Sequence, residues 1–189
     1  IISRSLSNHT TIGLLPTGGG KSLTYQISSV LQPGVTLVVD PLISLMVDQC
    51  RGLTDIRIDA SACVNSTLKR KDRESNLNQM QNGNLLFILL SPERFMMTNF
   101  RESLYKMSTK NNVYFSYGVI DEVHCVSEWG HDFRPSYLHL GRNMIRYMCT
   151  KSGKPISIIG LTATASFDVL ADVERELTLG GDLSFDSEA

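Results

Sequence analysis

This sequence predicts an α/β fold built on a parallel, doubly wound sheet, and three observations predict it. Short apolar runs recur along the chain, the runs are continuous rather than alternating, and stretches of helical character lie between them. Continuous apolar runs suit strands covered on both faces, and strands separated by helices make βαβ units.

The elements follow in order. TIGLL (11–15), VTLVVD (35–40), NLLFILL (84–90), YGVID (117–121) and ISIIGL (156–161) are the predicted strands, expected to be buried on both faces of the sheet. The weaker run ASACV (60–64) is a predicted edge strand. Helices are predicted over roughly 21–30, 42–52, 67–81, 97–108, 136–149 and 167–177. The opening stretch IISRSLSNHT reads as a helix tail leading straight into a strand, which points to residues upstream. The polar GGDLSFDSEA reads as the start of a linker. One domain is expected over 1–178 and a linker over 179–189.

At 189 residues the chain can bury one sizeable α/β core. A formal net charge of −1 gives no global attraction to nucleic acid, so such a role needs a local basic patch. Cys50, Cys63, Cys125 and Cys149 form no C-x-x-C pair, which fits reduced thiols better than a disulfide or zinc framework. No signal peptide and no apolar run of membrane-spanning length is present. A soluble, intracellular protein without a membrane partner is expected, in the cytoplasm or nucleoid if bacterial.

Chemistry concentrates first in PTGGGKS (16–22), which follows a predicted strand and opens a predicted helix. That is the setting of a phosphate-binding loop. Gly18, Gly19 and Gly20 lack Cβ atoms, so backbone N–H groups can turn toward phosphate oxygens. The helix N-terminus adds unpaired N–H groups and positive dipole. Lys21 can meet the β- and γ-phosphates, and the Ser22 hydroxyl can ligate Mg²⁺. Thr17 completes the candidate cofactor-binding set. The general pattern wants glycine at position 15, where this chain has Leu15. The competing reading is a glycine-rich turn beside a surface lysine; the flanking elements favour the phosphate loop.

YGVIDEVHC (117–125) supplies the second part. A carboxylate at the C-terminal end of a strand lies on the ligand edge of an open α/β sheet. Asp121 is the candidate Mg²⁺ residue, and Glu122 the candidate base for an attacking water. Adjacent acids repel unless a cation lies between them, which argues for a metal. The competing reading is an acidic helix start. The following loop holds Trp129, His131, Phe133 and Arg134 among polar residues and glycine. Aromatics in such a setting can stack on bases at about 1–3 kcal/mol each, and Arg134 adds a cation. The alternative is that Trp129 and Phe133 anchor the loop to the core. His124 and His131 lack zinc-site spacing, so no zinc is expected in this stretch.

With these residues in view, the chain resembles a superfamily 2 helicase of the D-E-x-H type, and specifically the RecQ family of DNA helicases. LLPTGGGKSLTYQ resembles motif I, in which that family lacks the first glycine, as Leu15 does here. VVDPLISLMVDQ (38–49), LLSPERF (89–95), IDEVHC (120–125) and GLTATAS (160–166) resemble motifs Ia, Ib, II and III. VSEWGHDFRPSY (126–137) resembles the aromatic-rich loop peculiar to RecQ proteins. The resemblance implies a RecA-like P-loop NTPase domain that binds ATP and Mg²⁺. It implies catalytic roles for Lys21, Asp121, Glu122 and His124, with Thr162 and Thr164 linking the nucleotide site to a second lobe and DNA. It implies that Trp129, His131, Phe133 and Arg134 sense single-stranded DNA, and that Ser44, Ser91, Pro92 and Arg94 lie in motifs facing the DNA backbone.

The implied function is the first motor lobe of a 3′-to-5′ DNA helicase acting in repair or recombination at single-stranded or junction DNA. Its partner would be a second RecA-like lobe of the same chain, and the fragment alone would be nearly inactive. Alternatives are an RNA-acting or double-strand-translocating relative, and a non-catalytic binding module. Asp40 stands where the family more often has serine and Glu128 where it has glutamine. An acid at 40 is unfavourable near the DNA track unless it is turned away. The cluster LKRKDRE (68–74) is expected to be a solvated helix face, because acids are interspersed.

Overall fold

A computed structural model describes residues 1–127 and 133–177. Its helices are α1 (Ile2–Leu6), α2 (Lys21–Val30), α3 (Ile43–Asp55), α4 (Arg70–Gln81), α5 (Thr98–Lys110), α6 (Leu140–Tyr147) and α7 (Phe167–Leu177). Its strands are β1 (Thr11–Leu14), β2 (Val35–Val39), β3 (Ser61–Val64), β4 (Phe87–Leu90), β5 (Phe115–Ile120) and β6 (Ser157–Thr162). They form one six-stranded sheet in the order β1-β6-β5-β2-β4-β3, and every pairing is parallel. The predicted edge strand is indeed at an edge.

Alternate strand residues feed two cores. Val38, Phe87, Leu89, Tyr117, Val119, Ile159 and Leu161 pack with Tyr25, Met46 and Leu53 of α2 and α3. Leu37, Val39, Ile88, Leu90, Phe115, Ile120 and Ile158 pack with α4 to α7 on the other face. Both faces are therefore dry, which is why the runs read as continuous. Each fully buried large apolar side chain contributes about 1.5–3 kcal/mol of burial.

Some boundaries differ from those predicted, for physical reasons. In NLLFILL only Phe87–Leu90 forms a strand; Leu85 is buried in the approach to it. The helix predicted at 136–149 is shorter, because Pro135–Tyr137 makes a 3₁₀ turn and His139 adopts φ 59° before α6 begins. α4 starts at Arg70 because the Asn65 side chain accepts the Thr67 and Leu68 N–H groups and holds the preceding turn. Glu128, Trp129 and His131 lie outside the described residues, as do 178–189 with the predicted linker. Among the described residues no helix is long and apolar enough to cross a membrane.

In a parallel sheet all strands end on one edge, so the segment after each strand meets the others there. The loop after β1, Thr162 at the end of β6, Asp121 after β5, Asp40 after β2 and Ser91 after β4 follow one another along it.

Candidate active site

The loop between β1 and α2 is set by its sequence. The Gly19 N–H donates to the Pro16 carbonyl at 2.9 Å, closing a four-residue turn. Its third residue, Gly18, has φ +78°, and Gly20 has φ +79°, conformations in which a Cβ is strained. Thr17, Gly18, Gly19 and Gly20 are exposed. Gly20 caps α2 with no side-chain bond, so the helix presents its own first-turn N–H groups at the loop. Lys21 and Ser22, half-buried, stand at that terminus. In this conformation the Gly19 N–H serves the turn itself rather than pointing into the loop.

Two strands away, β5 delivers Asp121 and Glu122. Asp121 is 2% exposed, its N–H donates to the Val39 carbonyl, and its own carbonyl accepts from the buried Tyr137 hydroxyl at 3.0 Å. Glu122 adopts the left-handed conformation, φ 48° and ψ 47°, which costs a non-glycine residue about 1–2 kcal/mol. Glu122 Oε1 is 3.1 Å from Lys21 Nζ, and Oε2 is 3.2 Å from His124 Nδ1. His124 Nδ1 is also 2.8 Å from Thr162 Oγ1. The Thr162 hydroxyl donates to the Thr164 carbonyl at 3.0 Å, so its oxygen must accept from histidine, and Nδ1 carries a proton. Thr164 is exposed, and its N–H returns to Thr162 Oγ1 at 3.3 Å. One polar path thus runs from the glycine loop through Lys21, Glu122 and His124 to Thr162 and Thr164.

A second, buried path was not foreseen. Asp40 is fully buried; its Oδ1 accepts the Leu42 N–H at 2.8 Å, and its Oδ2 faces Gln49 Nε2 at 3.4 Å. The Tyr25 hydroxyl donates to Gln49 Oε1 at 2.5 Å. This joins α2, α3 and the end of β2. The signal was present: Met46, Gln49 and Leu53 share the buried face of α3, and a polar residue in an apolar stripe needs a partner.

Burial pushes the Asp40 carboxyl up to about 7, opposed by the Leu42 N–H and reinforced by Asp121 and Glu122. Burial also raises Asp121, with Glu122 adding to the shift and Lys21 opposing it. The sign follows. Between the ordinary aspartate range and pH 7 the unfolded chain has released a proton that folded Asp40 keeps, so stability falls as pH rises through this window. We expect the metal-free protein to lose on the order of 2 kcal/mol between pH 5 and 7.5. Thermal melts in chelator should show that difference shrink in Asp40→Asn, which keeps the Leu42 bond and removes the proton.

The donor chemistry fits a divalent cation shared with phosphates. Asp40, Asp121 and Glu122 act on one another electrostatically, and Lys21 is the cation that opposes them. Ser22 and Asp121 offer hard oxygens of the kind Mg²⁺ takes from a protein alongside phosphate. No group of three or more His, Cys, Asp or Glu side chains arranged as a metal cage occurs among the described residues.

Beyond Asp40 the edge continues into a groove of about 500 Å³ lined by Pro41, Ile43, Ser66, Arg73, Ser91, Glu93, Arg94 and Met97. Burial lowers the Arg94 guanidinium's hold on its proton, and Arg73 adds to the effect. The 68–74 cluster therefore divides. Arg70 pairs with Glu74 in solvent, whereas half-buried Arg73 faces the groove. Arg134 is tied to this edge: its N–H donates to the Cys125 carbonyl at 3.0 Å, and its guanidinium reaches the Pro41 carbonyl at 3.4 Å. Phe133 is half-buried beside it.

Comparison with known proteins decides the family. The DEAD/DEAH box helicase description matches residues 1–173. The chain belongs to the DEAD/DEAH box helicase family. Among relatives of this helicase domain, the probable ATP-dependent DNA helicase RecS of Bacillus subtilis is 42% identical over 179 residues, covering 95% of this chain and 33% of that protein. The ATP-dependent DNA helicase RecQ of the same organism is 38% identical over 171 residues, covering 90% and 27%. The helicase domain thus spans about a third or less of these relatives. The Hef helicase domain of Pyrococcus furiosus superposes with a TM-score of 0.63 at 17% identity, over 93% of this chain and 34% of that one, and shares its fold. The family fits the α/β reading of a RecA-like helicase domain.

Proposed function

We propose that this helicase domain is the ATP-binding motor lobe of an ATP-dependent DNA helicase of the RecQ type. The polar path from Lys21 through Glu122 and His124 to Thr162 and Thr164 is the observation that carries the reading. It gives a nucleotide at the glycine loop a direct line to the far end of the site.

In this reading Thr17, Gly18, Gly19, Gly20 and Lys21 hold the triphosphate, and Ser22 with Asp121 would hold Mg²⁺. The cation would neutralise charge on the phosphates while the transferred group moves. Lys21 would exchange Glu122 for phosphate oxygens, since both are anionic partners at one ammonium. Glu122, released, would take the proton of the attacking water. His124 would feel that change through its bond to Glu122 and pass it to Thr162 and Thr164, toward a second RecA-like lobe. Single-stranded or junction DNA would run along the groove of Ser91, Arg94 and Arg73, with Arg134, Phe133, Trp129 and His131 reporting its presence. DNA is named because the relatives are named DNA helicases. The 3′-to-5′ direction and a place in repair or recombination come from the RecQ resemblance.

The test is ATP hydrolysis by the full protein at fixed salt with no nucleic acid, with single-stranded DNA and with single-stranded RNA. We expect stimulation by DNA of at least about tenfold, lost in Trp129→Ala with basal turnover retained. Supplying arginine from a second lobe is worth about 10³–10⁵ in related NTPases, so the 189 residues alone should turn over very slowly. Equal stimulation by RNA would move the assignment to an RNA-acting relative. No stimulation by either, with no hydrolysis, would leave a binding module.

A further inference from the structure

We propose that Tyr25, Gln49 and Asp40 are positioning residues that tie the glycine-loop helix to the groove, so that nucleotide and nucleic acid change each other's affinity through them. The inference rests on the helicase reading and adds a route separate from the one through Glu122, His124 and Thr162. Its nucleotide end is α2. Lys21 and Ser22 open that helix, and Tyr25 follows them by four and three positions, so all three lie along one side of it. Tyr25 is fully buried, and its ring meets Phe87 of β4 edge-on with centroids 6.3 Å apart. Its hydroxyl donates to Gln49 Oε1 of α3 at 2.5 Å.

The groove end is Asp40. Gln49 Nε2 donates to Asp40 Oδ2 at 3.4 Å, while Asp40 Oδ1 accepts the Leu42 N–H at 2.8 Å. The second bond is an Asx turn across Pro41, and Leu42 is the N-cap of α3. The turn carries Pro41 to the groove. The Pro41 carbonyl accepts from the Arg134 guanidinium at 3.4 Å, and Pro41 and Ile43 line the groove with Arg73, Ser91 and Arg94. One carboxylate therefore holds the turn at the groove and, through Gln49, the helix that carries the glycine loop. Serine, which the RecQ family more often has at this position, has a single oxygen and could not hold both.

Burial makes the chain of bonds transmit. Tyr25 and Asp40 are fully buried and Gln49 is 9% exposed. A buried polar group that loses its partner bears its full desolvation cost, so a small shift of α2 moves Gln49 and Asp40 with it. Each end has two states, which coupling requires. Lys21 is held by Glu122 at 3.1 Å here and would leave it for phosphate, which moves the start of α2. Arg134 is held by the Pro41 carbonyl here and would leave it for a phosphate of bound nucleic acid. By linkage, whatever nucleotide does to nucleic-acid affinity, nucleic acid does equally to nucleotide affinity.

The experiment measures, in the full protein at fixed salt, the Kd of a fluorescent single-stranded DNA oligonucleotide with and without a non-hydrolysable ATP analogue and Mg²⁺. In the wild type the analogue is expected to change that Kd at least about fivefold, and DNA to change the analogue's Kd by the same factor. Tyr25→Phe removes one hydroxyl and keeps the ring, and Gln49→Leu keeps an apolar helix face and removes both bonds. Each is expected to bring the factor within about twofold of unity, with unstimulated hydrolysis and nucleotide-free DNA affinity within about threefold of wild type. The double variant should lose nothing more, because both changes cut one chain. Ser28→Ala removes another buried hydroxyl from α2, off the chain, and should keep the wild-type factor, which separates loss of the chain from general loosening of the helix. A folded Tyr25→Phe or Gln49→Leu protein that keeps the factor overturns the proposal, as does a Ser28→Ala protein that loses it. A wild type that binds DNA and hydrolyses ATP without any such factor overturns the proposal and leaves the helicase reading standing. A wild type that does neither overturns the helicase reading and the proposal with it.

Discussion

Glu122→Gln in the full protein is expected to lower ATP turnover by about 10²–10⁴-fold while nucleotide binding stays intact or tightens. Removing a general base costs about that factor. The binding half of the prediction comes from geometry. Glu122 Oε1 holds Lys21 Nζ at 3.1 Å, and both side chains are mostly shielded, at 24% and 15% exposure. A nucleotide must displace that carboxylate before Lys21 can meet phosphate. Glutamine keeps the size and can keep a hydrogen bond, but it gives up the ion pair, so the competitor for Lys21 is weaker. Phosphate release measured beside titration with a fluorescent ATP analogue separates the two effects. A glutamine variant that hydrolyses within about threefold of the wild type would remove Glu122 from the chemistry.

The same residue marks where sequence reasoning stopped. That Asp121 and Glu122 follow an inner strand was legible, because a continuous apolar run ending in acids places them on the strand-end edge of a parallel sheet. That Glu122 reaches Lys21 and His124 was not. It depends on the left-handed backbone of Glu122, which glycine or asparagine would have advertised and glutamate does not. His124 and Thr162 are 38 positions apart, and only the adjacency of β5 and β6 brings them within 2.8 Å. The Asp40–Gln49–Tyr25 network lay inside segments already singled out for other reasons. Its members were individually ordinary, and only burial forces them to satisfy one another. The strand and helix pattern itself needed no such help: burial on both faces of the sheet is written directly into the composition of each run.

Lys21→Ala is expected to abolish binding and hydrolysis together, and to act on stability in the opposite sense from Glu122→Gln. A charge-assisted hydrogen bond to phosphate is worth about 1.5–3 kcal/mol, so affinity should fall by at least about 10–100-fold. In the nucleotide-free protein Lys21 also offsets Asp40, Asp121 and Glu122, lowering the two aspartates that burial raises. Without it the acids face one another with less compensation. Discounted for partial exposure, the cost is about 1–3 kcal/mol, a drop in Tm of roughly 3–8 °C for a domain this size in chelator at pH 7.5. Mg²⁺ should recover part of that loss, because it restores positive charge among the same oxygens. Glu122→Gln removes one of the repelling acids and should leave Tm unchanged or higher. If both variants shift Tm downward to a similar extent, Lys21 is not the counter-charge of this site, and its pair with Glu122 is a packing contact.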